Sequence, residues 1–263
     1  MKNNQFAIVP TDSETAIAEL TKIQFITADM RALTTVPAVY RALLAKSFPE
    51  VHSEAGLTHK FANLMATSQH TLAEWLDSAT IVSNQVFYNV GLQLLGFLPG
   101  HDFDLADPLL AMRDIHLPMV GESAFDRESL YYAWYLLLNT RGVQGQTLIE
   151  LLTTRGFFAP FYQRDKDQQP LFFNGKAQAV FDTDKLIREV VYVEAPLDTD
   201  NDGQRDLLKV EILRPAATNH GLKVPVLYTA SPYNQGIDDQ AGKAQMHDVD
   251  VPLTAKTPDT NTY

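Results

Sequence analysis

The feature that most restricts this chain is a change of hydrophobic period near residue 190. Before it, apolar residues recur mostly at helical spacing. After it come three short runs rich in Val, Leu, Ile and Tyr, at Val190 to Glu194, Leu207 to Leu213 and Val224 to Ala230. Turn residues bound each run, so the three read as strands. Helices followed by strands, rather than alternating with them, predict an α+β chain. Between the two regimes lies Gln163-Arg164-Asp165-Lys166-Asp167-Gln168-Gln169-Pro170, polar and without a period. The boundary is therefore expected there, with a helical domain over 1–160, a connecting segment over 161–189 and a sheet-forming domain over 190–263.

Within the helical region, Thr11 and Glu14 fit a capping box ahead of Ala16, Ile17, Leu20 and Ile23. Met30 to Lys46 reads as a second helix with Pro37 near its first turn. Leu57 to Met65 reads as a third, and Thr71 caps a fourth that carries Leu72, Trp75 and Leu76. Ile81 to Leu95 reads as a long buried helix, stopped by the Gly and Pro of Gly96 to Gly100. A further turn or two spans Asp104 to Arg113. Leu130 to Leu138 is apolar on most sides and is expected at the centre of the helical core. Thr147 to Thr154 is the last helix, closed by Gly156.

A chain of 263 residues that is 45% hydrophobic can bury a sizeable core without metals or disulfides. There is no cysteine, which excludes a thiol nucleophile, a thiolate metal site and a disulfide framework. The net charge of -11 argues against nucleic acid as a partner. The start, Met1 to Pro10, has one lysine and a brief apolar run, which is not a secretory signal. No stretch approaches the roughly 20 apolar residues of a membrane helix. These features lead us to expect a cytoplasmic protein with no membrane or nucleic-acid partner.

The loudest local motif is Asp198-Thr199-Asp200-Asn201-Asp202-Gly203-Gln204-Arg205-Asp206, the front half of a calcium loop. Such a loop needs a bidentate Glu at its twelfth position and helices on both sides. Here that position is Lys209 and the flanks are strands. A polar hairpin turn is the preferred reading, with Gly203 supplying a positive φ, and no metal or other cofactor is expected. The seven histidines show no helical zinc spacing. Gly121-Glu122-Ser123-Ala124-Phe125 comes nearest to a nucleophile elbow, but Phe125 replaces the required Gly, so Ser123 reads as a helix cap. Ser231 precedes Pro232, which holds it extended rather than in an elbow. Tyr233, in Ser231-Pro232-Tyr233-Asn234-Gln235-Gly236, follows the third expected strand, where α/β sheets place ligand loops. Its ring either packs on the sheet or aims its phenol at a substrate oxygen.

Several stretches together resemble the X-prolyl dipeptidyl aminopeptidases, a family of bacterial serine peptidases. They are Met1 to Pro10, His70 to Leu76, Val86 to Phe97, Tyr131 to Gly142, Asp198 to Asp206 and Ala230 to Gly236. The resemblance runs along essentially the whole chain. It implies removal of X-Pro dipeptides from peptides with a free N-terminus. It also implies a helical N-terminal domain used in homodimerisation, followed by the first strands of an α/β-hydrolase domain. In the family the Ser, Asp and His of the triad lie further along, and none has a matching position here. The residue that carries over is Tyr233, which the resemblance assigns to the oxyanion hole. The chain is then expected to be an N-terminal portion, inactive by itself. The competing reading is a non-catalytic helical interaction module, built from the same aromatic-rich helices.

Overall fold

Short polar side chains set where the helices begin. The computed structural model describes residues 8–162, 171–182 and 185–230, and the chain divides into two units after Phe181. In the first unit, α1 (Ser13–Lys22) is capped by Asp12, whose carboxylate accepts from the Thr15 amide at 2.7 Å. The cap therefore sits one residue beyond the expected Thr11. The expected helix from Met30 to Lys46 is two helices, α2 (Ala28–Ala32) and α3 (Val36–Lys46). Thr35 breaks them apart because its backbone is extended and its hydroxyl accepts from the Ala38 amide, with Pro37 in the first turn as expected. Ser53 starts α4 (Glu54–Ala62), three residues before the expected point.

Thr71 and Glu74 form a full capping box on α5 (Leu72–Ser78), and Ser83 caps α6 (Asn84–Leu94). Gly96, at φ 88°, supplies the left-handed residue that ends α6. Then come α7 (Pro108–Asp114), α8 (Arg127–Asn139) and α9 (Leu148–Thr154). Ser123 is not a cap. Asp126 caps α8, accepting from the Ser129 amide at 2.8 Å, while the Ser123 carbonyl accepts from the Asn84 amide at 3.1 Å. An aspartate one residue before the helix is the better acceptor for its free amides.

The core forms around α8, as its apolar run predicts. Trp134 is almost wholly buried and meets Phe25, Tyr40 of α3 and Phe87 of α6 at ring-centroid distances of 5.6, 6.4 and 5.6 Å. Phe87 in turn meets Tyr40, Tyr88 and Phe125 at 5.9, 5.0 and 5.2 Å. Most of Phe87's pairs stand edge to face, the geometry that aligns a ring's positive rim with its neighbour's negative face. Gly142, just past α8, lies against the end of α6. A Cβ there would sit 2.2 Å from the Leu95 carbonyl oxygen, and the Val143 amide donates to that same oxygen at 3.0 Å.

Part of the expected connecting segment belongs to this core. Phe161, Leu171, Phe173 and Val180 are buried in it. Residues 172–177 form a hairpin of β1 (Phe172–Phe173) and β2 (Lys176–Ala177), turned by Asn174 and Gly175 at φ 47° and 71°. Two successive left-handed residues make the tight turn that an Asn-Gly pair favours. Asn174 is buried and ties three segments together. Its side chain accepts from the Val9 amide and donates to the Val9 carbonyl, both at 2.9 Å, and donates to the Tyr135 hydroxyl at 2.8 Å. Its backbone amide and the Tyr135 hydroxyl both donate to Glu19 Oε2 at 2.8 Å. Burial holds the Tyr135 phenol above its ordinary pKa; the Asn174 hydrogen bond opposes this, and Glu19 adds to it.

The second unit holds β3 (Leu186–Glu194) and β4 (Leu207–Pro215), antiparallel from Leu186↔Pro215 to Glu194↔Leu207. Two of the three expected strands are thus present. The third is not formed. Val224 to Ala230 carries no regular structure, and Val226, Leu227 and Tyr228 are 88%, 96% and 84% exposed. A strand exists by pairing, and among the described residues this run has no neighbour to pair with.

Two outcomes follow. Gly142→Ala should push the loop off α6 and cost about 1–3 kcal/mol, whereas Gly121→Ala, with open space at its Cβ, should stay within about 0.5 kcal/mol; urea unfolding of both variants checks this. The second outcome concerns pH. Backbone amides at Thr15 and Thr71 hold the Asp12 and Glu74 carboxyls below their ordinary values, and the Ser129 hydroxyl does the same for Asp126. Depressed carboxyl values stabilise the fold above the ordinary values and lose that effect as pH falls through the folded ones. Thermal melts should therefore hold their Tm down to about pH 5 and decline below it, through the ordinary values of 4.5 for Glu and 3.8 for Asp.

Candidate functional site

The Asp-rich run joins β3 to β4, as the turn reading expects. Asp198 organises it by accepting from the Asp202 amide at 3.3 Å with Oδ1 and from the Gly203 amide at 2.9 Å with Oδ2. Asp202 accepts from the Gln204 amide at 2.8 Å, and Asp206 from the Thr199 amide at 3.0 Å. Asn201 and Gly203 take left-handed backbones at φ 57° and 83°, so the loop reverses through residues that tolerate that region. Two backbone bonds close its neck, Ala195 N to Asp206 O and Asp206 N to Leu197 O, each at 2.7 Å.

The same folding gathers Asp198, Asp200 and Asp206, each offering one carboxylate oxygen within 4.8 Å of the others. Among the described residues this is the one group of three or more acidic or histidine side chains so close together. Lys209, where a calcium loop needs its bidentate Glu, lies on β4 and pairs with Glu211 at 2.9 Å. Calcium takes six to eight oxygens, and amide contacts already engage Asp198 and Asp206. Chemically the loop is a set of carboxylates that fix their own backbone.

Arg214 anchors the far end of the ribbon. Its Nε and Nη2 donate to the two Glu189 oxygens at 2.8 and 2.6 Å, and its Nη1 donates to Thr218 Oγ1 and Asn219 Oδ1, both at 2.6 Å. The Arg214 hydrogen bonds hold the Glu189 carboxyl below its ordinary value. This two-pronged pairing fixes orientation as well as charge, and sequence reading passed over it because Glu189 and Arg214 are far apart in the chain.

The candidate catalytic residue, Tyr233, lies outside the described residues, as do Ser231 and His247. Ser123 is exposed on a turn. Two histidine hydrogen bonds are local to their own turns, His101 to Asp102 at 2.9 Å and His70 to Thr67 at 3.4 Å. Neither joins a nucleophile to a distant acid. No helix among the described residues is long and apolar enough to cross a membrane.

Comparison with known proteins supplies what local geometry does not. Residues 1–157 match the model of X-prolyl dipeptidyl aminopeptidase PepX, N-terminal, and residues 202–255 match that of X-Pro dipeptidyl-peptidase (S15 family). The chain is 85% identical over 263 residues to a Xaa-Pro dipeptidyl-peptidase of Lactiplantibacillus plantarum, an alignment covering all of this chain and 32% of the relative. It is 49% identical to the enzymes of that name from Pediococcus pentosaceus and Ligilactobacillus salivarius, covering 97% of this chain in both cases and 31% and 32% of those proteins. The chain thus spans about a third of the length of the curated relatives it matches. With the N-terminal family model matched over residues 1–157 and the peptidase model from within the Asp-rich loop, at residue 202, to residue 255, the chain belongs to the X-prolyl dipeptidyl aminopeptidase family.

Proposed function

We propose that this chain is the N-terminal part of a cytoplasmic serine exopeptidase that removes X-Pro dipeptides from peptides with a free N-terminus and proline second. The observation that carries this reading is the 85% identity, over every residue of the chain, to a Xaa-Pro dipeptidyl-peptidase. In this reading residues 1–160 are the helical domain through which two copies associate. Residues 190–263 are the first part of an α/β-hydrolase domain. The exposed apolar side chains of the ribbon support this, since Leu208, Leu213 and Val193 are each about half exposed or more, and sheets of this class bury both faces.

The expected chemistry is acyl transfer. A serine attacks proline's own carbonyl, a histidine takes the serine proton and delivers it to the leaving amine as the bond after proline breaks, an aspartate orients the histidine, and water then releases the X-Pro dipeptide from the serine. All three lie in sequence beyond this chain. Tyr233 is proposed to donate its phenolic hydrogen to the oxyanion of the tetrahedral intermediate. Such a donor acts by being in place before the charge develops, so it stabilises the transition state more than the ground state.

The enzyme extended to the length of its relatives should release p-nitroaniline from Ala-Pro-p-nitroanilide. The 263-residue chain alone should not, and turnover by that chain at a comparable rate would overturn the assignment. In the extended enzyme, Tyr233→Phe should lower kcat by roughly 10- to 1000-fold with a smaller change in KM. An unchanged kcat would remove Tyr233 from the mechanism.

A further inference from the structure

Asn174-Gly175 is the only Asn-Gly pair in the chain, and it carries two opposed properties. It is the pair that a two-residue turn favours. It is also the pair whose backbone best attacks its own side chain, because glycine puts no side chain in the way of its amide nitrogen. In the folded chain the first property prevails. Asn174 is 2% exposed, and its carboxamide is held at both ends. Oδ1 accepts from the Val9 amide, while Nδ2 donates to the Val9 carbonyl and to the Tyr135 hydroxyl. Attack on Cγ needs the carboxamide to turn toward the Gly175 nitrogen, and that turn breaks these bonds.

The restraint is only as strong as the hairpin. β1 and β2 have two residues each, and Phe172 is 44% exposed beside the buried Phe173. Ribbons this short open more readily than the helical core behind them. Opening frees the carboxamide and admits water to it. The Gly175 nitrogen, having given its proton to the solvent, then bonds to Asn174 Cγ, and the Cγ–Nδ2 bond breaks with departure of ammonia. Water opens the cyclic imide that results. Cleavage of the bond between the Gly175 nitrogen and Cγ leaves aspartate. Cleavage of the bond between that nitrogen and the Asn174 backbone carbonyl carbon leaves isoaspartate, with the main chain routed through the former side chain. An amide and water are consumed, an acid and ammonia are formed, and nothing is oxidised or reduced.

Neither product fits the closed hairpin. The Tyr135 hydroxyl gives its one proton to Glu19, so it offers residue 174 a lone pair, and the Val9 carbonyl offers another. A carboxylate oxygen in the place of Nδ2 has no hydrogen to donate to either. It also sets a second carboxylate beside Glu19 Oε2, which already accepts from the Asn174 amide at 2.8 Å, and like charges there oppose closure. Isoaspartate lengthens the main chain inside a two-residue turn. We propose that Asn174 is a self-modification site gated by its hairpin. Closed, the hairpin preserves the asparagine; opened, it allows conversion to aspartate or isoaspartate, and the conversion keeps the hairpin from closing again. The modification thus marks a chain that has spent time open. It is confined to the helical unit and does not depend on peptide cleavage.

The test ages the 263-residue chain at mildly alkaline pH, in buffer and in urea. Deamidation is read by mass spectrometry of the digest fragment that holds residues 171–176, and isoaspartate by an isoaspartyl methyltransferase. Conversion at Asn174 should be at least about tenfold slower in buffer than in urea. Tyr135→Phe, which removes a hydroxyl that Nδ2 donates to, should speed conversion in buffer about fivefold and leave the rate in urea unchanged. Circular dichroism establishes that this variant is folded, and the comparison of buffer with urea decides the matter without it. Asn174→Asp, the product made directly, should keep its helical circular dichroism. It should raise hydrogen exchange at least about tenfold at the Gln178 amide, which donates across the hairpin to the Leu171 carbonyl at 2.8 Å. Equal rates in buffer and urea would show that the fold does not guard the site and overturn the proposal. An Asn174→Asp chain with Gln178 as protected as in the parent would overturn it too, because the hairpin would then close over its product.

Discussion

The helical unit depends on the meeting of Trp134 with Phe87. The two rings stand edge to face at 5.6 Å, one on α8 and one on α6, and further aromatics from α3 and from the segment after α1 close around them. Aromatic pairs of this kind add about 0.5–1.5 kcal/mol each beyond their area burial. The same centre buries polar atoms without protein partners, the Trp134 indole nitrogen and the Tyr40 hydroxyl. Burial of this centre fixes where α3, α6 and α8 lie, and so fixes the lie of the loops that follow them. Gly142 can press its backbone on Leu95 only because α6 and α8 are already held together.

A second constraint is polar. Asn174 joins the segment around Val9 to α1 and α8 by satisfying both backbone groups of Val9, the Tyr135 hydroxyl and, through its own amide, Glu19. The Asn-Gly turn and the buried Phe173 beside it make this possible, since Phe173 stacks edge to face on Tyr135 at 5.1 Å. A hairpin of two-residue strands has little stability alone. Here it is held by what it touches, and it ties the backbone of the exposed Val9 to the edge of the same core.

In the second unit the ribbon relies on local devices instead. Carboxylates in the Asp-rich loop hold the turn at one end, and the Arg214–Glu189 pair with its Thr218 and Asn219 contacts holds the other. Between them the strands leave much apolar surface in water. The family relationship gives this a sense, because the relatives extend well beyond the length of this chain, and in the proposed reading the ribbon is the edge of a larger sheet.

By itself the sequence determined the class of each region. The 3.6-residue period fixed the helices, Thr71 and Thr147 marked two of their starts, and the Asp-rich turn between two strand-like runs fixed the ribbon. These signals are legible because each rests on residues within one or two turns of each other. The shared motifs also carried the family. Only the tertiary structure decided that Thr35 splits a continuous apolar pattern, that Asp126 rather than Ser123 caps α8, and that residues 171–180 belong to the helical core. The Asn174–Gly175 signal for that hairpin stood in the sequence, but the polar run before it hid it as linker. The third strand failed for the converse reason. Val224 to Ala230 has the composition of a strand, but a strand is completed by hydrogen bonds to a neighbour, and composition cannot supply one.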